Sequence, residues 1–352
     1  MMEAYPVFQG LRRTHYIRTF GDYVELLWDN KVTHYLWSGE LGFRTLGNSN
    51  FLKAVHEDPM PPHLELRENF LEKRLVEAQE QLGRVLERKT VMADLSGGKD
   101  STAQLILLDR LREKIRFNLI AVYVHMPYLE PLENISFAER VAERIGVPFY
   151  YKEADRGMIR YFLQRDSLPK RGDRWCTYLK SKALREARKE LKADFEAKGD
   201  RMLESGKRMK KLKNMAIKTS FINGKTLNLI YDFSAAETAK IVKEHHLVHP
   251  HYLQGIPRVS CRFCPYRGLY EIQASKNQEV EDEGFLEDSA RTHFRRYYSM
   301  IVPWDIFWEL SLWRFQPSLA RLRLQEMRNV DYGEFVSITD VRRMLASMWE
   351  VL

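Results

Sequence analysis

The chain has 352 residues, of which 44% are hydrophobic and 12% aromatic, and this composition excludes an intrinsically disordered protein. Its 56 lysine and arginine residues exceed its 48 acidic residues, and the formal net charge of +8 favours an anionic partner, either a nucleotide or a nucleic acid. No apolar run approaches the roughly 18 residues of a membrane span, and the N-terminal residues lack the pattern of a secretory signal. We therefore expect a cytoplasmic protein with no membrane partner.

Residues 1–88 are predicted to form an accessory region that is rich in aromatic side chains. Within it, residues 34–44 have the composition of two short strands around Ser38 and Gly39. A charged helix is predicted from about residue 62 to residue 88, because leucine and alanine recur there mostly every three to four positions.

The following segment alternates short apolar runs with helical patterns. Strands are predicted at 90–95, 119–124 and 147–151, and helices at 102–112 and 136–145. This order of strand, helix, strand, helix and strand is typical of an α/β fold with a parallel sheet covered by helices.

Further along the chain, residues 227–234 are predicted to form a strand. Ser234, followed by two alanines and a glutamate, has the pattern of a capping box that begins a helix. Residues 266–352 are predicted to be mostly helical, and their tryptophan and phenylalanine side chains are interpreted as a core.

Between the first strand and the first helix of the α/β segment lies the sequence Ser96-Gly97-Gly98-Lys99-Asp100-Ser101. Glycines allow backbone N–H groups to approach a phosphate, and the start of a helix adds partial positive charge. Lys99 can pair with phosphate charge, the two serine hydroxyls can donate to phosphate oxygens, and Asp100 can help to hold Mg²⁺. The alternative is an ordinary strand-to-helix turn with a solvated lysine and aspartate.

This loop differs from the common P-loop, because Ala93 stands where that motif needs its first glycine and Asp100 where it needs serine or threonine. The loop instead resembles the signature of the PP-loop ATP pyrophosphatase superfamily, Ser-Gly-Gly-x-Asp-Ser after the first strand. The resemblance implies an adenine-nucleotide α-hydrolase-like fold that binds ATP and cleaves it between the α- and β-phosphates. It also implies that residues 122–126, at the end of the second strand, lie beside adenine.

Three further segments resemble the phosphoadenosine phosphosulfate reductase family. Arg174–Lys180 is similar to its Cys-x-x-x-Lys segment, and Gly199–Arg208 to its Gly-x-Arg-x-x-Glu-Ser-x-x-Arg segment. Arg258–Pro265 is similar to its Arg-x-x-Cys-x-x-Cys-Pro segment. Together with the loop, these matches predict a PP-loop ATP-binding domain with a cysteine site at residues 89–265, between helical additions at both ends.

The resemblance implies roles for individual residues. Nucleotide binding is assigned to the loop residues and to Arg201, Glu204 and Ser205. Catalytic roles are assigned to Lys99, Asp100, Cys176 and Arg208. Arginine and lysine side chains at 201, 207 and 208 can bind phosphates or another anion, and a neighbouring glutamate can orient one of them. For each single cation, the alternative is a solvated surface charge.

The three cysteines are Cys176, Cys261 and Cys264, and an odd number without a secretory signal argues against a disulfide framework. Iron–sulfur members of the family bind a [4Fe–4S] cluster through a Cys-Cys pair followed by Cys-x-x-Cys. Trp175 replaces the first cysteine of that pair, so the chain matches three of four ligands. Three ligands would leave one iron open to sulfide or substrate.

Other interpretations of the cysteines stay open. The thiolates can bind zinc together with a histidine, and the candidates are His125, His249 and His251. They can also be inert buried thiols, or one of them can carry a persulfide without any metal. Sulfonucleotide reductases need a mobile C-terminal cysteine, and no cysteine occurs in the 88 residues after Cys264. This difference favours ATP-driven sulfur transfer, with a sulfur-donor protein such as a cysteine desulfurase.

Residues 170–218 contain 17 lysines and arginines against 7 acidic residues. Such a segment can follow a phosphate backbone, and the aromatic N-terminal region can supply stacking surfaces, so tRNA or DNA is a candidate substrate. The alternative is that these charges serve ATP or are solvated and that the aromatics are core. Three functions follow: an ATP-dependent sulfurtransferase acting on nucleic acid or a small acceptor, a sulfonucleotide reductase or other small-molecule adenylating enzyme, and a non-catalytic nucleotide-binding or nucleic-acid-binding module.

Overall fold

A computed structural model describes the backbone of residues 3–9, 12–20, 23–28, 31–37, 42–46, 66–328 and 332–351. Side chains are described for residues 66–325 and for part of 337–349. None of the described helices combines the length and the apolar character that crossing a membrane requires.

The N-terminal region forms an antiparallel sheet. Its strands are β1 (Glu3–Gln9), β2 (Arg12–Phe20), β3 (Tyr23–Trp28), β4 (Lys31–Trp37) and β5 (Gly42–Leu46), each paired with the next. The predicted pair of strands around Ser38 and Gly39 is confirmed as β4 and β5, whereas the first three strands were not predicted. The two turn residues themselves, and the N-terminal aromatic side chains, lie outside the described residues.

The predicted charged helix is α1 (Phe70–Leu86), which begins later than its apolar spacing indicated. Its start follows Asn69, a non-glycine residue in the left-handed region at φ 51°. Arg74 on this helix is buried, and its guanidinium donates to Leu229 O at 2.7 Å and to the carboxylate of Asp232 at 2.7 Å. The helix is thereby attached to the α/β part of the chain.

Six strands form the mostly parallel sheet of the α/β part. They are β6 (Thr90–Asp94), β7 (Asn118–His125), β8 (Phe149–Glu153), β9 (Phe195–Ala197), β10 (Ile222–Asn223) and β11 (Thr226–Leu227). Their order across the sheet is β10-β11-β9-β6-β7-β8, and every pair is parallel except β10 with β11. The α/β fold predicted from the sequence is therefore confirmed.

Helices cover both faces of this sheet, as a buried parallel sheet requires. They are α2 (Lys99–Arg112), α3 (Glu133–Ile145), α4 (Arg156–Asp166), α5 (Trp175–Glu190), α6 (Gly206–Ile217), α7 (Ala235–Glu244) and α8 (Pro250–Leu253). Successive side chains of β6 point to opposite faces of the sheet, which separates two hydrophobic cores. Val91 and Ala93 belong to one core and Met92 to the other. The capping box predicted at Ser234 is present, with Glu237 as its partner.

The strand predicted at 227–234 is wrong beyond Leu227. Residues 228–233 form a buried loop instead, and side chains satisfy its backbone groups: Gln104 Oε1 accepts from Leu229 N at 2.9 Å, and Asn228 Oδ1 accepts from Ile230 N at 2.9 Å. The apolar run is buried without strand pairing, so its hydrophobicity did not distinguish a strand from a packed loop.

The C-terminal region is mostly helical, as predicted, but it also contains a strand. Its elements are α9 (Leu269–Ala274), α10 (Glu283–Tyr297), α11 (Trp304–Glu309), α12 (Pro317–Arg328), β12 (Tyr332–Ser337) and α13 (Ile338–Val351). β12 pairs antiparallel with β5 and completes the N-terminal sheet. The two ends of the chain therefore meet. The domain division at residues 88 and 265 stays a prediction.

Candidate functional site

The sheet reverses its strand order at β6, since β7 follows on one side and β9 lies on the other. In open α/β sheets, ligands bind outside the carboxyl end of the strands at such a switch point. The loop 96–101 lies there, between β6 and α2. Gly97 has φ +75°, and a Cβ at this position would lie 3.2 Å from Phe137, so a side chain here would be both strained and crowded.

The two serines of the loop bond to each other. Ser101 Oγ accepts from Ser96 N at 3.1 Å and donates to Gly98 O at 3.0 Å. Since the Ser101 proton is used in this way, Ser96 Oγ is the donor in the 3.0 Å contact between the two hydroxyls. Both serines line the cavity described below, and they also fix the shape of the loop.

Asp100 joins three segments of the chain. Its Oδ1 accepts from Arg201 Nε at 2.8 Å and from Thr238 Oγ1 at 2.7 Å, and its Oδ2 lies 3.5 Å from Lys99 Nζ. Burial alone would raise the pKa of Asp100, but the charges of Arg201 and Lys99 and the hydrogen bonds outweigh it and hold the pKa well below its usual range. Asp100 is therefore ionised at neutral pH.

The backbone at Gly199 lies against the start of α2. A Cβ at this position would stand 2.8 Å from Asp100 O and from the N and Cα atoms of Ser101. Cβ atoms do not approach backbone atoms this closely, so only glycine at position 199 allows the two segments to pack together. This close approach explains why the segment 199–208 begins with glycine.

The loop opens into a cavity of about 410 Å³. Its cationic lining residues are Lys99, Arg174, Lys180, Lys198, Arg208 and Arg258. Its acidic lining residues are Asp94, Asp100, Glu130, Asp200 and Glu204. Val122 and Val124, from the segment predicted to lie beside adenine, form part of its apolar wall. Phosphate groups and an apolar ring can thus be accommodated in one cavity.

Two of the three cysteines, Cys261 and Cys264, line the same cavity. Cys176 lies at the start of α5 and is partly buried. Burial, followed by the charge of Cys264, raises the pKa of the Cys176 thiol. Burial, followed by the charge of Glu130, raises the pKa of Cys261 well above its usual range, and the other two thiols add to this effect. The three thiols are therefore close enough to affect one another.

Among the residues with described side chains, no group of three or more histidine, cysteine, aspartate or glutamate residues is arranged to hold a metal ion. The candidate histidines do not line the cavity. His249 and His251 are buried side by side, with ring centroids 4.2 Å apart, and His251 bonds to Glu133. Burial, followed by the charge of His251, lowers the pKa of His249 to about 2.

The other predicted residues are placed as follows. Glu204 and Arg208 line the cavity and form an ion pair at 3.0 Å. Arg201 is buried against Asp100 and is absent from the cavity lining, so it positions the loop residue. Ser205 caps α6 by accepting from Arg208 N at 3.3 Å. Lys207 is exposed.

Several site residues were not predicted from the sequence. Asp94 ends β6 in the cavity wall; burial, followed by the charge of Glu196, raises its pKa well above the usual range. Glu130 is buried and lies 3.7 Å from Lys180 Nζ. Tyr252 accepts from Lys99 N at 3.0 Å. Asp94 could have been predicted as a site residue, because it ends the strand just before the loop. Tyr252 could not, because it lies 153 residues from Lys99 in the sequence.

A comparison with known families matches residues 90–267 to the phosphoadenosine phosphosulfate reductase domain. This match covers half of the chain and includes the loop, the cavity and all three cysteines. The chain belongs to this family. A search of curated proteins found no significant relative.

Solved structures also resemble the chain, at a distance. U34-tRNA thiolase NcsA from Methanococcus maripaludis with its [4Fe-4S] cluster is 21% identical, over 66% of this chain and 81% of that one, with a TM-score of 0.43. Phosphoadenylyl-sulfate reductase from Candida auris is 10% identical over 54% and 92%, with a TM-score of 0.36. NMN synthetase from Francisella tularensis is 10% identical over 76% and 98%, with a TM-score of 0.35.

The close approach at Gly199 gives a first prediction for this family member. In Gly199→Ala the new methyl group overlaps the start of α2, and relieving such an overlap costs about 1–3 kcal/mol, so we expect affinity for an ATP analogue to fall about tenfold. Isothermal calorimetry measures this. Gly206→Ala is the matched control, because a Cβ there meets nothing within 4 Å. Equal affinities for the two variants would contradict the prediction.

A second prediction concerns the Asp100–Arg201 ion pair. Asp100→Ala leaves the buried Arg201 charge without this partner, so we expect the free energy of unfolding to fall by about 3 kcal/mol. The double variant Asp100→Ala/Arg201→Met removes both charges and should lose less than the sum of the two single variants. Denaturant unfolding measures all three; additive losses would show that the pair is not coupled.

Proposed function

We propose that this family member is an ATP-dependent adenylating enzyme that releases pyrophosphate and transfers sulfur to the adenylated acceptor. The observation that supports this proposal is that one cavity is lined by the phosphate loop, by six cations and by two thiols. A phosphate loop alone would serve any nucleotide-binding protein. The thiols at the same cavity add a group suited to sulfur chemistry.

In the proposed reaction, an acceptor oxygen attacks the α-phosphorus of ATP. The bond from that phosphorus to the oxygen bridging the α- and β-phosphates breaks, and pyrophosphate leaves. Hydrosulfide then attacks the acceptor carbon that carries the adenylate, the carbon–oxygen bond breaks, and AMP leaves with the oxygen. Sulfur enters at the oxidation state of sulfide, so the sequence consumes no further reductant.

The loop residues would hold the departing pyrophosphate. Lys99 is buried and belongs to the cavity lining, so its ammonium would meet phosphate charge where little water screens it. Arg208, at the other side of the lining, would pair with a further oxygen by exchanging its contacts to Asp200 and Glu204. Asp100, ionised and held by Arg201, supplies a carboxylate oxygen for Mg²⁺ that arrives with ATP.

The cysteine site would bind a [4Fe–4S] cluster through Cys176, Cys261 and Cys264. The donor set fits this group in chemistry: three soft thiols from two segments lie close enough that Cys264 raises the pKa of both Cys176 and Cys261, and two of the thiols open into the cavity. When bound, the cluster would supply an iron with a free position for sulfide. Zinc and metal-free thiols are the competing outcomes.

A third prediction tests the cysteine site by metal content, independently of turnover. Protein purified anaerobically should contain about four irons per chain and absorb visible light, as a [4Fe–4S] centre does. Cys176→Ala should lose most of the iron and the absorption. Tyr178→Ala, an exposed neighbour on α5, is the control and should keep both. Colourless wild-type protein with stoichiometric zinc would rule the cluster out.

The acceptor is proposed to be a nucleic acid, tRNA or DNA. Glu204 and Arg208 place the start of α6 at the cavity, and five exposed lysines follow along or just after this helix: Lys207, Lys210, Lys211, Lys213 and Lys218. No acidic residue interrupts them. Lys211 is paired with Asp200 at 2.6 Å. Like charges in such a row repel unless anions neutralise them, and a phosphate backbone supplies anions.

A fourth prediction tests this acceptor class. Changing the five lysines to glutamine should weaken binding of tRNA or duplex DNA. If each lysine contacts one phosphate, the magnitude of the slope of log affinity against log salt should fall by about 3.5 to 4.5, since each contact contributes about 0.7–0.9. The control changes five exposed cations near the amino ends of β6 and β7, away from the cavity: Arg84, Arg88, Lys89, Lys114 and Arg116. Filter binding across a salt series measures both sets. Absence of binding by the wild type at low salt would remove nucleic acid as the acceptor.

A further inference from the structure

The start of α2 is held by a residue far away in the sequence. The hydroxyl of Tyr252 accepts a hydrogen bond from Lys99 N at 3.0 Å, and both groups are buried. The first backbone N–H groups of a helix have no partner within the helix, and in a phosphate loop they are the groups that face the phosphate. Tyr252 also lines the cavity, and its hydroxyl would be 3.6 Å from a Cβ on Gly98. It therefore contacts the loop at the point where phosphate is expected.

Tyr252 is in turn held by the C-terminal helix. Its ring packs against Trp349 on α13, with ring centroids 4.8 Å apart and an interplanar angle of 34°. Trp349 is 3% exposed, as is Tyr252. An aromatic contact of this kind restricts the ring that carries the hydroxyl, so the direction of the hydroxyl depends on α13.

A second contact fixes α13 beside the same turn. Gly255 has φ +75°, and a Cβ there would overlap Arg342 O, so the backbones of the turn and of α13 touch. The Arg342 guanidinium donates to Gln254 O at 3.3 Å and to Ala274 O at 3.0 Å. The turn after α8 and the helix α13 are therefore joined by both packing and hydrogen bonds.

The helix α13 directly follows β12, which pairs with β5 of the N-terminal sheet. Val336 lies opposite Phe43 in this pairing, and Ser337, the last residue of the strand, lies opposite Gly42. A continuous series of contacts thus leads from the N-terminal sheet, through α13 and Tyr252, to the backbone of Lys99. The family match at residues 90–267 includes the loop and the tyrosine but neither the sheet nor the helix.

We infer that Tyr252 is a positioning residue of the nucleotide site and that the two ends of the chain, through α13, keep it in place. The accessory sheet and helix are then a structural part of the phosphate site. Without the hydroxyl, Lys99 N loses this anchor and the loop can adopt shapes that bind pyrophosphate less well. This inference rests on the proposed binding of ATP at the loop.

The test compares three variants with the wild type by calorimetry, using magnesium with a non-hydrolysable ATP analogue and, separately, AMP. Tyr252→Phe removes only the hydroxyl, and we expect affinity for the ATP analogue to fall about fivefold to tenfold, the usual effect of one hydrogen bond. Affinity for AMP, which lacks the two phosphates that the loop holds, should change less than about twofold. Trp349→Leu should weaken ATP binding in the same direction. The double variant should be no weaker than Tyr252→Phe alone, because both changes act through one contact.

Tyr298→Phe is the control, since it removes an equally buried hydroxyl that donates to Phe315 O at 2.6 Å, in the other core. It should leave ATP affinity unchanged. Thermal unfolding of every variant shows whether the fold is intact. If the wild type binds the analogue and Tyr252→Phe binds it equally well, the inference is overturned but the proposed ATP site is not. The same holds if Tyr252→Phe loses as much affinity for AMP as for the analogue. A wild type that binds no nucleotide would overturn the proposed ATP site and the inference together.

Discussion

The site depends on the ion pair between the partly buried Asp100 and the buried Arg201. A carboxylate and a guanidinium removed from water are each costly, and the pair is tolerable because the two groups meet at 2.8 Å and Thr238 adds a hydrogen bond. Asp100 belongs to the loop, Arg201 follows β9, and Thr238 lies on α7, so one carboxylate joins three segments. Arg201 and Lys99 both lie beside this carboxylate, and both lower its pKa.

The acidic residues of the cavity lining do not prevent it from binding an anion. Burial, followed by the charge of Glu196, raises the pKa of Asp94 well above its usual range and so disfavours its charged form. The others are paired with cations: Asp200 with Arg208 and Lys211, Glu204 with Arg208, and Glu130 with Lys180. These pairs also hold the long cationic side chains in place, which reduces the entropy lost when a ligand binds. The six cations of the lining outnumber its five acidic residues.

The sequence predicted the parallel sheet and its loop because both are local patterns. The apolar runs of β6 to β8 are short and are separated by helical spacing, and β6 is followed by a glycine-rich turn, so each could be recognised from a few neighbouring residues. The strand predicted at 227–234 was wrong because a buried loop has the same hydrophobicity when side chains such as Gln104 satisfy its backbone. The pairing of β5 with β12 joins residues almost 300 positions apart, and no local pattern encodes such a contact.

The same distinction applies to the functional residues. Lys99 and Asp100 were predicted because the motif that contains them is contiguous, but the role of Arg201 as the partner of Asp100 depends on how β9 packs beside β6. Tyr252 reaches Lys99 only because the turn after α7 returns to the carboxyl end of the sheet, where α13 supports it. Such positioning contacts are set by tertiary packing, so they can be found only once the two ends of the chain are seen to meet. For this reason the accessory regions, which lie outside the residues of the family match, belong to the physical description of the proposed nucleotide site.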